Sequence, residues 1–156
     1  MNNVRRSLLK VTGSAIAIAA AGAAGMLRPM RGWAAPWNKA GFESKALADA
    51  LKSLGAANAS ESRDIAITAP DIAENGAVVP IAVTSRIPGT QQISIVSEKN
   101  PFPLAGKFEF SEGALPFVRL NVKMGETSDV RVIAEAGGRR YTATKEIKVT
   151  IGGCGG

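Results

Sequence analysis

Residues 130–151 read VRVIAEAGGRRYTATKEIKVTI, and this stretch decides the fold. Val130, Val132 and Ala134 recur with a period of two in its first half, and apolar side chains recur in the same way through its second half. That period is typical of a strand with one buried face. Gly137-Gly138, between the two halves, supplies the positive φ angles of a two-residue hairpin turn. We therefore predict an antiparallel hairpin whose second strand is the last and longest of the chain.

The chain before this hairpin shows the same pattern in shorter runs. Runs of β-type residues bounded by turn residues cover 65–69, 78–85, 92–97, 108–110 and 118–122. Together with the hairpin they make about seven strands, spaced roughly 8–12 residues apart. Pro80 predicts an edge position or a strand start, because proline has no N–H to donate. The predicted fold is mainly β, an immunoglobulin-like antiparallel β-sandwich of about seven strands.

One N-terminal amphipathic helix is predicted before the first strand. Apolar residues recur at helical spacing over residues 42–54, with charged side chains on the other face. Gly55 follows, at the position where a left-handed residue often ends a helix. We expect the helix to pack on its own sheet, and packing on a partner chain is the alternative. Residues 58–62 are polar and predict a linker.

The first 35 residues have the features of an export signal and not of a folded domain. A pair of arginines at 5–6 precedes an apolar Ala- and Gly-rich stretch over residues 11–27, and Gly32 and Ala34 supply the small residues of a cleavage site. This pattern is typical of a twin-arginine signal peptide, and it predicts cleavage and a periplasmic location. The alternative is a membrane anchor, which the stretch disfavours because a spanning helix needs ~20 strongly apolar residues.

Composition excludes several classes of function. Five of the 19 basic side chains and none of the 13 acidic ones lie in the signal, so the mature chain is nearly neutral. Its charge therefore does not indicate a nucleic acid or membrane partner. The chain has no histidine, which excludes His-ligated metals and Ser–His or Cys–His catalytic pairs. We expect no cofactor and no catalytic residues of its own, and one cysteine forms no internal disulfide.

The single cysteine lies in a glycine-rich tail after the predicted last strand. The tail consists of Gly152, Gly153, Cys154, Gly155 and Gly156. Because glycine accepts φ angles of either sign, a thin and flexible arm is predicted, and three extended residues from Ile151 reach ~10 Å. We expect Cys154 to be the covalent attachment point on this swinging arm. The predicted organisation is a signal peptide at 1–35, a carrier domain at 36–151 and the arm at 152–156.

Three stretches of the chain resemble one known family. They are residues 145–156 (KEIKVTIGGCGG), 100–104 (NPFPL) and 75–81 (NGAVVPI), and they resemble SoxY, the sulfur carrier of the periplasmic Sox thiosulfate-oxidising system. The resemblance implies that thiosulfate is joined to Cys154 and presented to other enzymes for stepwise oxidation and hydrolysis to sulfate. It also implies a heterodimer with a SoxZ-like subunit. The enzymes would be a SoxAX-like cytochrome, a SoxB-like hydrolase and a SoxCD-like sulfane dehydrogenase, with this chain a carrier and not an enzyme.

Two other functions share parts of this pattern. A ubiquitin-like sulfur carrier also ends in Gly-Gly, but it loads its terminal carboxylate in a reaction that needs ATP, which an exported protein lacks. A structural or interaction β-sandwich is the second alternative, with Cys154 forming an intermolecular disulfide. That alternative predicts a reducible covalent dimer as the active species, whereas a carrier predicts an active monomer that gains small mass adducts.

Overall fold

The computed structural model describes residues 37–151, in which strands predominate over helices. Two short helices come first, α1 at Lys39–Glu43 and α2 at Leu47–Ser53. The strands in these residues are β1 Ser60–Glu61, β2 Ile65–Thr68, β3 Ile72–Ala73, β4 Val79–Ser85, β5 Thr90–Ser97, β6 Leu104–Glu109, β7 Phe117–Val122, β8 Ser128–Ala136 and β9 Arg139–Val149. Neither of the helices in this part of the chain is long and apolar enough to cross a membrane.

The strands form two sheets on either side of a buried core. The larger sheet has the order β1-β9-β8-β5-β6, with β3 also paired to β9, and the smaller sheet has the order β2-β4-β7. The long strands pair antiparallel, whereas β1 and β3 run parallel to β9. Aliphatic side chains of both sheets fill the core, among them Ile81, Val83, Ile93, Ile95 and Val132. The predicted mainly-β, immunoglobulin-like sandwich is confirmed.

The predicted hairpin is present and lies at the centre of the larger sheet. β8 and β9 pair in continuous register from Ser128 opposite Ile147 to Ala136 opposite Arg139. Gly137 and Gly138 connect them with φ angles of +56° and +73°, in the left-handed region that the turn requires. β9 is the longest strand of the described residues, with 11 residues, and its other edge is paired by β1 and β3. The strand that precedes the tail is therefore held on both sides.

Each of the shorter predicted runs overlaps a strand, but β6 has different bounds, and β1 and β3 lie outside all of the runs. β6 begins at Leu104, earlier than predicted, and the predicted linker over 58–62 is wrong because β1 lies within it. β1 and β3 have two residues each, too few to show alternation, and the backbone of β9 provides their pairing. Pro80 is the second residue of β4, where pairing with β2 does not extend beyond Ala82. The prediction that Pro80 lies at the start of a strand is confirmed.

The prediction of one continuous helix over residues 42–54 is wrong, because α1 ends and α2 begins within it. At the break, Ser44 and Ala46 have extended ψ angles of 130° and 135°. The Ser44 hydroxyl donates a hydrogen bond to the Ala40 carbonyl at 2.6 Å, and such local side-chain bonds compete with helix continuation. After α2, Gly55 has a φ angle of +62°, as the left-handed cap predicts.

The helical segment packs on the outer face of the larger sheet. Leu54 and Ala56 are buried against Val96, Leu104 and Ile133, which form a second, smaller apolar cluster. Val96 and Ile133 alternate along their strands with residues of the sandwich core, so they point to the opposite face of the sheet. This confirms that the helical segment packs on its own sheet.

Candidate functional site

The predicted attachment site lies outside the described residues. Cys154 and the flanking Gly152, Gly153, Gly155 and Gly156 all follow Ile151, the last residue that the structure describes. The structure therefore shows the surface from which the arm begins. We call residues 73–76, 123–127 and 149–151 the arm base.

The end of β9 is hydrogen-bonded to the segment that follows β3. The Thr150 N–H donates to the Ala73 carbonyl at 3.1 Å, and the Thr150 hydroxyl donates to the Glu74 carbonyl at 3.0 Å. The Ile151 carbonyl accepts the N–H of Gly76 at 2.7 Å. Main-chain bonds of this length are well formed. The chain is thus fixed up to the residue before the predicted arm.

A second segment, between β7 and β8, completes the arm base. The Val149 N–H donates to the Thr127 hydroxyl at 3.0 Å. Met124 is fully buried, and its N–H donates to the Gly76 carbonyl at 2.7 Å. Gly76 therefore bonds to both segments, through its N–H to Ile151 and through its carbonyl to Met124. Three segments that are distant in sequence meet where the arm begins.

The loop between β5 and β6 adjoins the arm base through one asparagine. The Asn100 side-chain amide donates to the Lys123 carbonyl at 2.7 Å, and its oxygen accepts the N–H of Gly125 at 3.3 Å. The family resemblance rests partly on stretches 100–104 and 75–81, which are distant in sequence from the tail. The fold brings both of them to the end of the sandwich where the arm begins. Sequence reasoning missed the role of Met124 and Gly76 in this arrangement.

Lys145 connects β9 to the segment between β2 and β3. Its ammonium group donates to the Ala69 carbonyl at 2.7 Å and lies 3.0 Å from the Asp71 carboxylate. The lysine side chain is mostly buried, whereas that of Asp71 is 90% exposed. A pair with one fully hydrated member contributes little Coulomb energy, so the carbonyl bond is the more important contact.

The opposite end of the sandwich carries a cleft. The loops over 85–91 and 110–116 enclose about 620 Å³ there, and we call them the far end. The register of β4 and β7 separates the two ends, because Thr84 pairs with Phe117 at one and Val79 with Val122 at the other. Within residues 37–151, no three Cys, Asp or Glu side chains are grouped as a metal site requires.

The fold and the arm base together define a class, an immunoglobulin-like β-sandwich whose last strand leads directly into a cysteine-bearing tail. The family model described as the sulfur oxidation protein SoxY matches residues 51–154, more than half of the chain. The chain belongs to the SoxY family, and its role is in sulfur oxidation as part of a Sox system.

A solved structure agrees with this assignment. The chain is 40% identical to the sulfur carrier protein SoxY from Chlorobium limicola f thiosulfatophilum, with a TM-score of 0.61, over 67% of this chain and 96% of that one. It is also 22% identical to a superoxide reductase (neelaredoxin) from Ignicoccus hospitalis, with a TM-score of 0.49, over 57% of this chain and 82% of that one. No curated protein sequence matches the chain.

Proposed function

We propose that this chain is a covalent carrier of the sulfur intermediates of thiosulfate oxidation, with Cys154 as the attachment point. The observation that carries the proposal is that the family match extends to residue 154, which is the single cysteine. A further support is the arm base, since the hydrogen bonds of Thr150 and Ile151 give the predicted arm a fixed origin.

The first step joins thiosulfate to the carrier. The sulfur of Cys154 forms a bond with the outer sulfur of thiosulfate. Two electrons leave in this step and pass to a SoxAX-like cytochrome, while the thiol proton passes to solvent. The product is a cysteine that carries a sulfane sulfur with a terminal sulfonate. The oxidant is therefore in the partner, and the carrier supplies only the thiol.

Hydrolysis and further oxidation follow on the same sulfur atom. In a SoxB-like hydrolase, water attacks the sulfonate sulfur, the adjacent sulfur–sulfur bond breaks, and sulfate leaves from a cysteine persulfide. A SoxCD-like sulfane dehydrogenase then oxidises the outer sulfur to a sulfonate. Three waters supply the oxygen atoms, six electrons pass to the dehydrogenase, and the protons pass to solvent. A second hydrolysis returns the free thiol of Cys154, so the carrier is a substrate scaffold and not the catalyst.

The arm residues give the thiol reach and clearance. Gly152, Gly153, Gly155 and Gly156 place no side chain beside the sulfur. Extended, the three residues from Ile151 to Cys154 span ~10 Å, enough to enter a channel that excludes the folded domain. We propose the domain organisation accordingly, with the swinging arm at 152–156 and the carrier domain at 36–151.

The proposed setting is the periplasm. The twin-arginine signal over residues 1–35 supports export of a folded chain, which allows a SoxZ-like subunit without its own signal to travel with it as a heterodimer. Export in the folded state suits a carrier whose domain must already present the arm. Thiosulfate, the enzymes and the carrier would then meet in one compartment.

Intact-mass spectrometry tests the proposal. The mature protein, recovered from thiosulfate-grown cells without reductant, should carry adducts that correspond to added sulfur and sulfonate, and reductant should remove them. Cys154→Ser should show none. A matched control combines Cys154→Ser with Leu115→Cys, which moves the thiol to a side-chain position that is 85% exposed at the far end. That variant should also stay unloaded. An unmodified wild-type Cys154, or a disulfide-linked dimer as the active species, would contradict the carrier role.

A further inference from the structure

The length of the arm limits where a partner enzyme can contact this protein. Cys154 is the third residue after Ile151, and fully extended chain spans at most about 3.3–3.6 Å per residue. An active site that receives the Cys154 sulfur must therefore open within ~10 Å of Ile151. This argument rests on the proposed function. It follows that the surface around Ile151 is covered whenever the thiol reacts.

That surface carries three exposed aliphatic side chains. Ile72, Val78 and Ile151 are 58%, 58% and 67% exposed, and we call them the apolar patch. Ile72 pairs in register with Lys148 of β9, and Gly76, two residues before Val78, donates to the Ile151 carbonyl. The three residues thus lie on segments that are bonded to one another where the arm begins.

Folding does not account for this exposure. In β3 the larger Ile72 is exposed while the smaller Ala73 is buried, and at the start of β4 Val78 is exposed while Val79 is fully buried. At these two positions the core therefore uses the neighbouring residue, Ala73 or Val79, and leaves Ile72 and Val78 exposed to water. Three exposed aliphatic side chains on segments that are bonded at one end of the sandwich favour a contact surface there.

The charges beside the patch carry both signs. Asp71 and Glu74 lie next to it on one segment and Lys145 and Lys148 on β9, so two acidic and two basic side chains balance and neither sign predominates. A partner that recognised this end by charge alone would require one sign to prevail. The common feature of the surface is its aliphatic character.

We propose that Ile72, Val78 and Ile151 form the docking contact for the enzymes that act on Cys154. The occupant is an enzyme whose active site lies at the bottom of a channel no deeper than the arm is long, with an apolar rim at its mouth. Docking of the patch places the rim around Ile151, within the reach of Cys154. Because the contact precedes the chemistry, the patch determines the affinity of the carrier for the enzyme and not the rate of bond breaking.

The test uses the mature protein preloaded without any conjugating enzyme. The Cys154 thiolate attacks a central sulfur of tetrathionate and displaces thiosulfate, which leaves the same sulfane–sulfonate adduct and is verified by intact mass. Sulfate release by the SoxB-like hydrolase of the same organism is then followed against carrier concentration. For the double variant Ile72→Ser/Val78→Ser we expect KM to rise about tenfold with kcat unchanged, as for the loss of apolar contacts at an interface centre.

Leu115→Ser is the matched control, because Leu115 is also an exposed aliphatic residue but lies at the far end. It should leave KM within about twofold of the wild-type value. Equal KM values for the double variant and the wild type would overturn the docking proposal alone. Failure of the loaded wild-type carrier to release sulfate would overturn the proposed function, and the docking proposal with it.

Discussion

The two ends of the sandwich hold their loops by different kinds of contact. At the arm base and the adjoining Asn100 loop, side-chain hydrogen bonds join residues 22 to 76 positions apart in sequence. At the far end the side-chain bonds are local, for the Thr90 hydroxyl lies 2.7 Å from both the Ser85 hydroxyl and the Ile87 carbonyl. Long-range bonds form only when the whole domain has folded. The origin of the arm is therefore as stable as the domain. At the far end these side-chain bonds lie within one loop, and a main-chain bond from the Ser85 N–H to the Pro116 carbonyl at 3.0 Å joins the two loops of that end.

Among substitutions that compare the two ends, we expect the largest loss of stability at Met124. Its side chain is fully buried at the arm base, so Met124→Ala removes core contacts and leaves a cavity. We expect the free energy of unfolding to fall by about 2–5 kcal/mol. Leu115→Ala, at an 85% exposed position of the far end, should change it by no more than about 0.5 kcal/mol. Chemical denaturation measures both, and similar losses in the two variants would contradict the difference between the ends.

Substitutions of two asparagines compare the contribution of long-range and local side-chain hydrogen bonds to stability. Asn100 bonds to Lys123 and Gly125, whereas Asn75 only accepts the N–H of Ala77, two residues away, at 2.8 Å. Asn100→Ala should lower the free energy of unfolding by about 1–2 kcal/mol and speed hydrogen exchange at the Gly125 amide. Asn75→Ala should cost less than about 0.5 kcal/mol, because water replaces an exposed local bond. Equal costs would show that sequence separation has no bearing on these contacts.

The same difference explains what could be predicted from the sequence. Gly137-Gly138 and the period-two pattern around it are local signals, and the hairpin they predicted is confirmed. The hydrogen bonds of Gly76 with Ile151 and Met124 join three segments. The sequence of each segment alone does not predict that it contacts the other two. β3 was missed for the same reason, since its two residues are defined by pairing with β9. The Ser44 break was missed because helical periodicity continues across it.

The attachment site is a different case. Cys154 was found from the sequence because a lone thiol among glycines is a chemical signal that needs no fold. The residues around the arm's origin were not found, because no local pattern distinguishes an exposed aliphatic residue such as Ile72 or Val78 from a buried one. Only the structure shows that Ala73 and Val79 are buried in their place. The prediction of the carrier domain and arm boundaries at 151 and 152 stays a prediction.

Gly138, in the turn between β8 and β9, tests whether a turn of this sandwich is set locally. Gly138 has a φ angle of +73° and open space where a Cβ would lie, so a substitution there acts only through the backbone. Gly138→Ala should lower the free energy of unfolding by about 1 kcal/mol, because the left-handed conformation costs an L-residue about that much in steric energy. Gly138→Asn should cost less than Gly138→Ala, since asparagine adopts that region more readily. Thermal melts compare the two, and an asparagine variant as unstable as the alanine one would contradict a purely local turn.

The smallest effect is expected where Lys145 joins β9 to the segment between β2 and β3. Lys145→Met keeps most of the aliphatic stem and removes the bond to the Ala69 carbonyl, so the free energy of unfolding should fall by about 0.5–1 kcal/mol. Asp71→Asn should change it by less than about 0.3 kcal/mol, because the Asp71 side chain is 90% exposed and its ion pair is screened. Urea denaturation at low and high salt separates the two contributions. The Lys145→Met loss should persist at high salt, since a bond to a neutral carbonyl is screened less than an ion pair. A loss that disappears with salt, or an equal loss in Asp71→Asn, would mean that the ion pair and not the carbonyl bond fixes this part of β9.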